Sequence, residues 1–203
     1  GFNLTESKAL ELKEAGLRGV SISMDHHEME SNNKFRGHKD ATHHVEQAIL
    51  NAKKAGLITA LALCATKEYI DSENVNLYAY GNIAAKLGAD FIWVIEPRAV
   101  GRYEGKDVQL SDDQFELIND FSIQLNYNSK YNNYPRVVFP NYAHRKKGCA
   151  GAGKNSIMID TDGFISPCPF CRTKGIFALD DNAKDELMPL FNAGCLKFET
   201  RQY

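Results

Sequence analysis

The chain has 203 residues, of which 43% are hydrophobic and 25% charged, and its formal net charge is −2. This length can hold one generous domain or two small ones with a buried core. The near-neutral charge excludes the basic footprint of a nucleic-acid-binding protein and attraction to an anionic membrane. The longest apolar stretch, Leu57–Ala65, is far shorter than the roughly 20 residues that cross a bilayer. With no secretory signal pattern either, we expect a cytoplasmic protein.

Three segments of the first half repeat one pattern, which is an amphipathic helix, a glycine and an apolar strand. They read ALELKEAGLRGVSISMD, VEQAILNAKKAGLITALALCAT and NIAAKLGADFIWVIEP, with Gly16, Gly56 and Gly88 after the helices. Each glycine follows a last turn that carries lysine, as is typical of helix C-termini. The strands are nearly continuous in apolar residues, which predicts parallel strands buried on both faces. The alternation predicts an α/β layer or barrel.

Several side chains near these strands have two interpretations. The segment DHHEMES, Asp25–Ser31, contains histidines and carboxylates that could bind a metal ion, although a polar loop at a strand end needs no such role. A metal-dependent hydrolase that uses Asp25, His26 and Glu96 is the corresponding functional alternative. Trp93 and Cys64 each lie in an apolar run and are predicted to be core residues.

The chain continues with elements that lead to a second region. A fourth helix is predicted from Ser111, with Gln114 completing a capping box, and the Asn- and Tyr-rich stretch Asn126–Pro135 is predicted to be a surface loop. A short strand, RVVFP, follows. We therefore predict two domains, residues 1–140 and 141–203. The open edges of the first sheet would be covered by a part of the protein that is absent from this chain, or by self-association.

Four of the five cysteines, Cys149, Cys168, Cys171 and Cys195, lie in the second region. The sequence SIMIDTDGFIS alternates apolar and polar residues around a DG turn and predicts a β-hairpin. Pairing of its strands would bring Cys149 and Cys168 to the same end, where Cys171 and then Cys195 can join them. Thiolates this close repel one another unless a cation or cluster neutralises them, so the group predicts a metal centre.

Zn²⁺ and an iron–sulfur cluster both accept four thiolates, so ligand type does not choose between them. A zinc ribbon usually has two C-x2-C pairs, and this chain has one. We therefore favour the iron–sulfur cluster. The alternative is an α/β protein with a structural four-cysteine zinc module that acts in binding.

The segment GCAGAGKNSIMIDTDGFISPCPFC, with Cys149, Gly163 and Cys168 in a C-x(9–15)-G-x(4)-C pattern, resembles the SPASM and twitch auxiliary-cluster domains of radical S-adenosylmethionine (SAM) enzymes. This resemblance implies one auxiliary [4Fe-4S] cluster in the shorter twitch style, ligated by Cys149, Cys168, Cys171 and Cys195.

The first region is similar to the second half of a radical-SAM (β/α)6 barrel, on the segments VSISMD, KFRGHKDATHHVEQAILNAKKAGL and FIWVIEPRAVGR. The resemblance implies that Ser23 and Arg36 touch SAM and that the backbone of Glu96–Gly101 lies near its adenine. In α/β barrels the carboxyl ends of the strands face the site. We therefore expect Ser23, Asp25, Thr66 and Glu96 to face it, and the resemblance implies that Asp25 is also a SAM contact.

The family's C-x3-C-x2-C loop, which binds the catalytic cluster, does not occur in this sequence. We therefore expect a C-terminal part of a longer oxidoreductase, inactive by itself, whose catalytic [4Fe-4S] cluster lies in the missing N-terminal part. The parent would generate an adenosyl radical and abstract hydrogen from a peptide, protein or small-molecule substrate. It would receive electrons from a donor such as ferredoxin or flavodoxin.

Overall fold

The computed structural model describes residues 1–70, 75–140, 142, 157–170 and 176–193. The chain divides into two compact units, Gly1–Pro140 and Asn141–Tyr203. No helix within these described ranges has the length and apolar character that crossing a bilayer requires.

The first unit alternates helices and strands. Its helices are α1 (Glu6–Glu14), α2 (Met29–Arg36), α3 (Ala41–Lys54), α4 (Val75–Lys86) and α5 (Asp112–Tyr127), and its strands are β1 (Gly19–Ser23), β2 (Ile58–Cys64), β3 (Phe91–Ile95) and β4 (Arg136–Val138). Two short 3-10 turns, Gly101–Tyr103 and Ser129–Tyr131, complete it. The three predicted helix–glycine–strand repeats are confirmed as α1–β1, α3–β2 and α4–β3.

The four strands form one parallel sheet in the order β1-β2-β3-β4. The unit is therefore mixed α/β, as predicted. Each strand lies beside the next one in the sequence, so every crossover runs in the same direction. Right-handed crossovers in one direction place their helices on one face of the sheet. The contacts agree, because α3 packs on β1 and β2, and α5 packs on β4.

The two faces of the sheet differ sharply in exposure. On the helix-covered face, Leu61, Ile92 and Val94 are fully buried. On the opposite face, Trp93 is 43% exposed and Val138, its partner in register, is 42% exposed. The predictions that the strands are buried on both faces and that Trp93 is a core residue are therefore wrong. The physical reason is that apolar residues on a strand are compatible with a buried face, but the strand sequence does not specify which other element packs against that face.

The helix ends follow the local chemistry of the sequence. Gly16, Gly56 and Gly88 have φ of 97°, 71° and 68°. This positive-φ conformation is unfavourable for residues that have a Cβ atom, so glycine suits these helix ends. Ser111 and Gln114 form the predicted capping box of α5. Two predicted loops contain helix instead: α2 begins within Asp25–Ser31, and α5 and a 3-10 turn enter Asn126–Pro135.

The second unit contains the predicted hairpin, formed by β5 (Met158–Ile159) and the antiparallel β6 (Ile165–Ser166). The Asp160 side chain accepts hydrogen bonds from the Asp162 and Phe164 backbone amides and so closes the turn. A later helix, α6, spans Ala183–Ala193. Ile165, Ile176 and Ala183 form a small buried cluster.

The Gly163 turn predicts a strong effect of one added methyl group. Gly163 has φ of 88°, and a Cβ there would lie 2.5 Å from Cε2 of Phe177. Gly105, with φ of 73° and open space around it, is the matched control for backbone strain alone. We expect Gly163→Ala to lower stability by clearly more than the roughly 1 kcal/mol that strain costs at Gly105→Ala. Hydrogen exchange measures each loss within its own unit, at the Ile165 amide for Gly163→Ala and at the β3 amides for Gly105→Ala. Equal losses would contradict the packing of Phe177 on Gly163.

Candidate functional site

The carboxyl-terminal edge of the sheet brings together residues that follow three neighbouring strands. Asp25 comes after β1, Thr66 after β2 and Glu96 after β3. Two hydrogen bonds join these ends: the Cys64 amide donates to Asp25 Oδ1 at 2.9 Å, and the Ala65 amide donates to the Ile95 carbonyl at 2.9 Å. In α/β proteins this edge is where ligands bind.

Asp25 is buried, and its carboxylate is engaged on both oxygens. Oδ1 accepts from the Cys64 amide, and Oδ2 accepts from Arg36 Nη1 at 3.0 Å. The Arg36 side chain is 43% exposed, so its other guanidinium N–H groups remain accessible from solvent. A guanidinium held on one edge by a buried carboxylate is oriented to bind a second carboxylate or a phosphate.

A buried amide network fixes the helix that carries Arg36. The Asp25 amide donates to Asn32 Oδ1 at 2.9 Å, and Asn32 Nδ2 donates to Thr42 Oγ1 at 2.9 Å. Asn32 is fully buried and Thr42 nearly so. The network ties α2 to the end of β1 and to the first turn of α3. Neither residue was predicted to belong to the site, because Asn and Thr inside helices give no distinctive sequence pattern.

The other expected SAM contacts occupy different environments. Ser23 is half-buried on the open face of the sheet, in register with Ala62. Glu96 is buried and forms an ion pair with Arg98 at 2.8 Å. Gly101 is exposed in a 3-10 turn and has φ of 58°. The structure therefore brings Asp25 and Arg36 into contact and gives Glu96 a partner of its own.

Two adjacent histidines next to Asp25 have defined tautomers. His26 Nδ1 accepts from the Glu28 amide at 2.9 Å. A backbone N–H only donates, so the proton of neutral His26 is on Nε2. The rings of His26 and His27 stack at 4.6 Å. Burial, and then the neighbouring His27, lower the pKa of His26, while Glu28 opposes them. His26 is therefore neutral at pH 7.

Tyr69 holds the second histidine and contacts the first. Its hydroxyl donates to the Asn76 carbonyl at 2.9 Å and lies 3.2 Å from His27 Nδ1. Since the hydroxyl proton is used, His27 donates from Nδ1 to the phenol oxygen. The Tyr69 ring also meets the His26 ring edge-on at 5.0 Å.

A cavity of about 580 Å³ opens beside these residues at the carboxyl edge of the sheet; we call it the edge cavity. Asp25, His26 and Thr66 contribute to its wall from the strand ends, and the loop after β3 contributes Tyr103 and Lys106. Its remaining lining residues are Ser31, Phe35, Lys67, Glu68, Tyr69, Pro97, Asp107 and Val108. The lining mixes aromatic, charged and hydroxyl groups, which is typical of a small-molecule site.

The four cysteines predicted to hold a cluster are described only in part. Cys168 follows β6 closely, is half-buried and is not in a disulfide. Cys149, Cys171 and Cys195 lie outside the described residues. The remaining cysteine, Cys64, ends β2. Burial raises the pKa of its thiol to about 11, the Asp25 carboxylate adds to the rise, and Arg36 opposes it. Cys64 is thus a protonated thiol at pH 7.

The positions of these side chains bear on the alternative that the strand ends bind a metal ion. Within the part of the chain that the structure describes, no three His, Cys, Asp or Glu side chains are grouped so that they could hold a metal ion. The metal interpretation of Asp25–Ser31, and the hydrolase that would use Asp25, His26 and Glu96, therefore have no metal-holding group there.

Comparison with known proteins adds no family to this description. No protein-family model matches the chain, and no curated protein matches it either.

Proposed function

We propose that the chain is the C-terminal part of a radical SAM iron–sulfur enzyme. In this proposal Cys149, Cys168, Cys171 and Cys195 hold one auxiliary [4Fe-4S] cluster. The residues at the carboxyl edge of the sheet contribute to binding SAM. The parent enzyme would abstract hydrogen from a peptide, protein or small-molecule substrate.

One observation carries the proposal: three cysteines flank a hairpin with the spacing of an auxiliary-cluster domain. The hairpin is formed by β5 and β6, Gly163 occupies its turn with a positive φ, and Cys168 follows its second strand. A half-buried thiol at a strand end is accessible to a ligand and is partly shielded from water. Both conditions suit a thiolate that binds a cluster.

The contacts of Arg36 support the SAM part of the proposal. Its Nη1 donates to Asp25 Oδ2, and the side chain is 43% exposed. This suits the planar, bidentate recognition of a carboxylate such as that of the methionyl group. Asp25, which was expected to contact SAM directly, has both oxygens engaged and would act by orienting Arg36.

The form of the sheet gives further support. In a β/α barrel every helix lies outside, and the inner face of each strand is covered by the rest of the barrel. The first unit has this one-sided arrangement, with an apolar but exposed inner face that includes Trp93, Ile95 and Val138. We therefore infer that the unit is a segment of the radical-SAM (β/α)6 barrel.

In such an enzyme SAM and its catalytic cluster would supply radical chemistry, and the protein supplies binding, orientation and exclusion of water. Arg36 would hold the carboxylate of SAM, and the Asn32–Thr42 network would keep α2, and with it Arg36, in place. The backbone around Gly101 would contact the adenine. A ferredoxin or flavodoxin is the kind of electron donor that this chemistry needs.

Iron content after anaerobic purification tests the proposal. We expect a brown chain that absorbs broadly near ~400 nm and contains about four irons, as a single cubane requires. Cys168→Ser and Cys195→Ser should each remove most of the iron, because each takes one thiolate from the cluster. Cys64→Ser is the matched control and should keep the iron, because Cys64 lies in the other unit.

Two outcomes would count against the cluster. A colourless chain that contains zinc would favour the structural four-cysteine zinc module. Equal iron loss in Cys64→Ser and Cys168→Ser would show that iron is held without the proposed ligands.

A further inference from the structure

The edge cavity contains hydrogen-bond donors from which no described residue accepts. His26 has its Nδ1 occupied by the Glu28 amide, which places its remaining N–H on Nε2. The Thr66 oxygen accepts from the Tyr69 amide at 3.3 Å, and its hydroxyl proton has no acceptor among the described residues. The Tyr103 hydroxyl likewise has no partner in the described part of the chain. All three side chains line the cavity.

The charges of the cavity largely cancel in pairs, with two exceptions. Asp25 is paired with Arg36, and Asp107 is paired with Lys67 at 2.6 Å. Lys106 lies over the Tyr103 ring, with Nζ 5.7 Å from the ring centroid. It has no carboxylate partner in the described ranges. Glu68, an exposed side chain at the rim, has none there either.

The groups that can only donate outnumber the one that can only accept. One exposed ammonium and one imidazole N–H can only donate, one exposed carboxylate can only accept, and the two hydroxyls can do either. The contact with the Tyr103 ring orients the ammonium, while Glu68 has no such contact. Apart from Ser31, whose hydroxyl donates to Glu28 Oε2, the rest of the wall is apolar or aromatic and includes Phe35, Pro97 and Val108. The imidazole and the two hydroxyls are half-buried and the ammonium is exposed, so a ligand that shields these donors from water would bring acceptor oxygens on an apolar body.

We propose that the edge cavity binds a small ligand that has a flat or apolar body and a negatively charged oxygen group, held by His26 and Lys106. A carboxylate and a phosphate share this chemistry. The edge cavity lies at the same carboxyl edge as the proposed SAM contacts, but the proposal rests on the cavity's own donors and not on SAM or the cluster. It therefore stands or fails independently of the iron content of the chain.

The test uses three probes that share a phenyl ring: phenylacetate, phenyl phosphate and the neutral phenylacetamide. Chemical shifts in the NMR spectrum of the whole chain at pH 7 give the three dissociation constants. We expect at least one anion to bind roughly three- to tenfold more tightly than the amide, the effect of a partly exposed charge-assisted hydrogen bond. The stronger anion identifies the group as a carboxylate or a phosphate.

Substitution of His26 separates its two nitrogens. Asn places an oxygen near the position of Nδ1 and can keep the bond to the Glu28 amide, but it lacks a donor at the position of Nε2. Gln has the reverse arrangement. We therefore expect His26→Asn to weaken binding of the preferred anion about threefold or more, and His26→Gln to retain it. Circular dichroism of each variant shows that the helices are kept.

Lys106 and Glu68 carry opposite charges, so removing each charge should change anion binding in opposite directions. Lys106→Gln should weaken anion binding about two- to fivefold, and Glu68→Gln should leave it unchanged or strengthen it. Three results would overturn the proposal: equal binding of the amide and both anions, no binding of any probe, or reversed effects of Lys106→Gln and Glu68→Gln. Each of these leaves the prediction of iron content untouched.

Discussion

We expect Ile92→Ala to lower the free energy of unfolding of the first unit by about 2–5 kcal/mol, and Trp93→Ala to lower it by less, about 1–2 kcal/mol. The two residues are neighbours on β3 and point to opposite faces of the sheet. Ile92 is fully buried under the helices, whereas Trp93 is 43% exposed. Truncating Ile92 leaves a cavity in the core, while truncating Trp93 removes a side chain from a face that is open to water, so no enclosed cavity is left.

Hydrogen exchange of the β2 amides is the suitable measurement, because it reports on the first unit without the second. Fluorescence is unsuitable, since Trp93 is the single tryptophan of the chain. Ile95→Ala, at a residue 38% exposed on the same open face, is a second control that should cost less than Ile92→Ala. If Trp93→Ala and Ile92→Ala were equally destabilising, the open face would be covered in solution, either by a second copy of the chain or by another polypeptide segment.

Much of the fold was predictable because its signals are local. A helix that ends at Gly56 and continues into an apolar strand combines three short-range preferences: amphipathic spacing, a positive φ and strand propensity. The same holds for Gly88 and for the Ser111 capping box. The hairpin turn at Gly163 is fixed within a few residues. All of these predictions are confirmed.

The exposure of the sheet was not predictable from these signals. An apolar strand such as Phe91–Ile95 predicts that both faces will be covered, but it does not specify by what. Coverage depends on crossover direction and on what packs against the sheet, and both are properties of the whole topology. This is why Trp93 was assigned to the core. The open apolar face is nevertheless consistent with the barrel resemblance, which requires cover on that side.

The sequence predicted positions at the strand ends but not the contacts made there. It predicted that Ser23, Asp25, Thr66 and Glu96 face the site, and the resemblance implied that Arg36 is among the SAM contacts. It did not predict that Asp25 holds Arg36 or that Glu96 holds Arg98. Such pairs depend on how a loop and a short helix fold back, which single-sequence patterns do not encode. The tautomer of His26 depends on one backbone hydrogen bond and was equally out of reach.

The Asp25–Arg36 pair gives the second large prediction. We expect Arg36→Gln to lower the free energy of unfolding by about 2–3 kcal/mol, because it leaves a buried carboxylate with a weaker partner. Exposure of Arg36 keeps the loss below that of a fully buried pair. Asp25→Asn should cost less, about 1–2 kcal/mol, since an amide oxygen still accepts from the Cys64 amide and the released arginine reaches water.

The double variant Asp25→Asn with Arg36→Gln separates the charge effect from the loss of packing. Neutral partners on both sides leave no unpaired charge, so we expect the double variant to be more stable than Arg36→Gln alone by roughly 1 kcal/mol. The measurement is again hydrogen exchange of the β2 amides. Additive losses would mean that the two side chains do not interact in solution. Asp25 would then be available to contact a ligand directly instead of orienting Arg36.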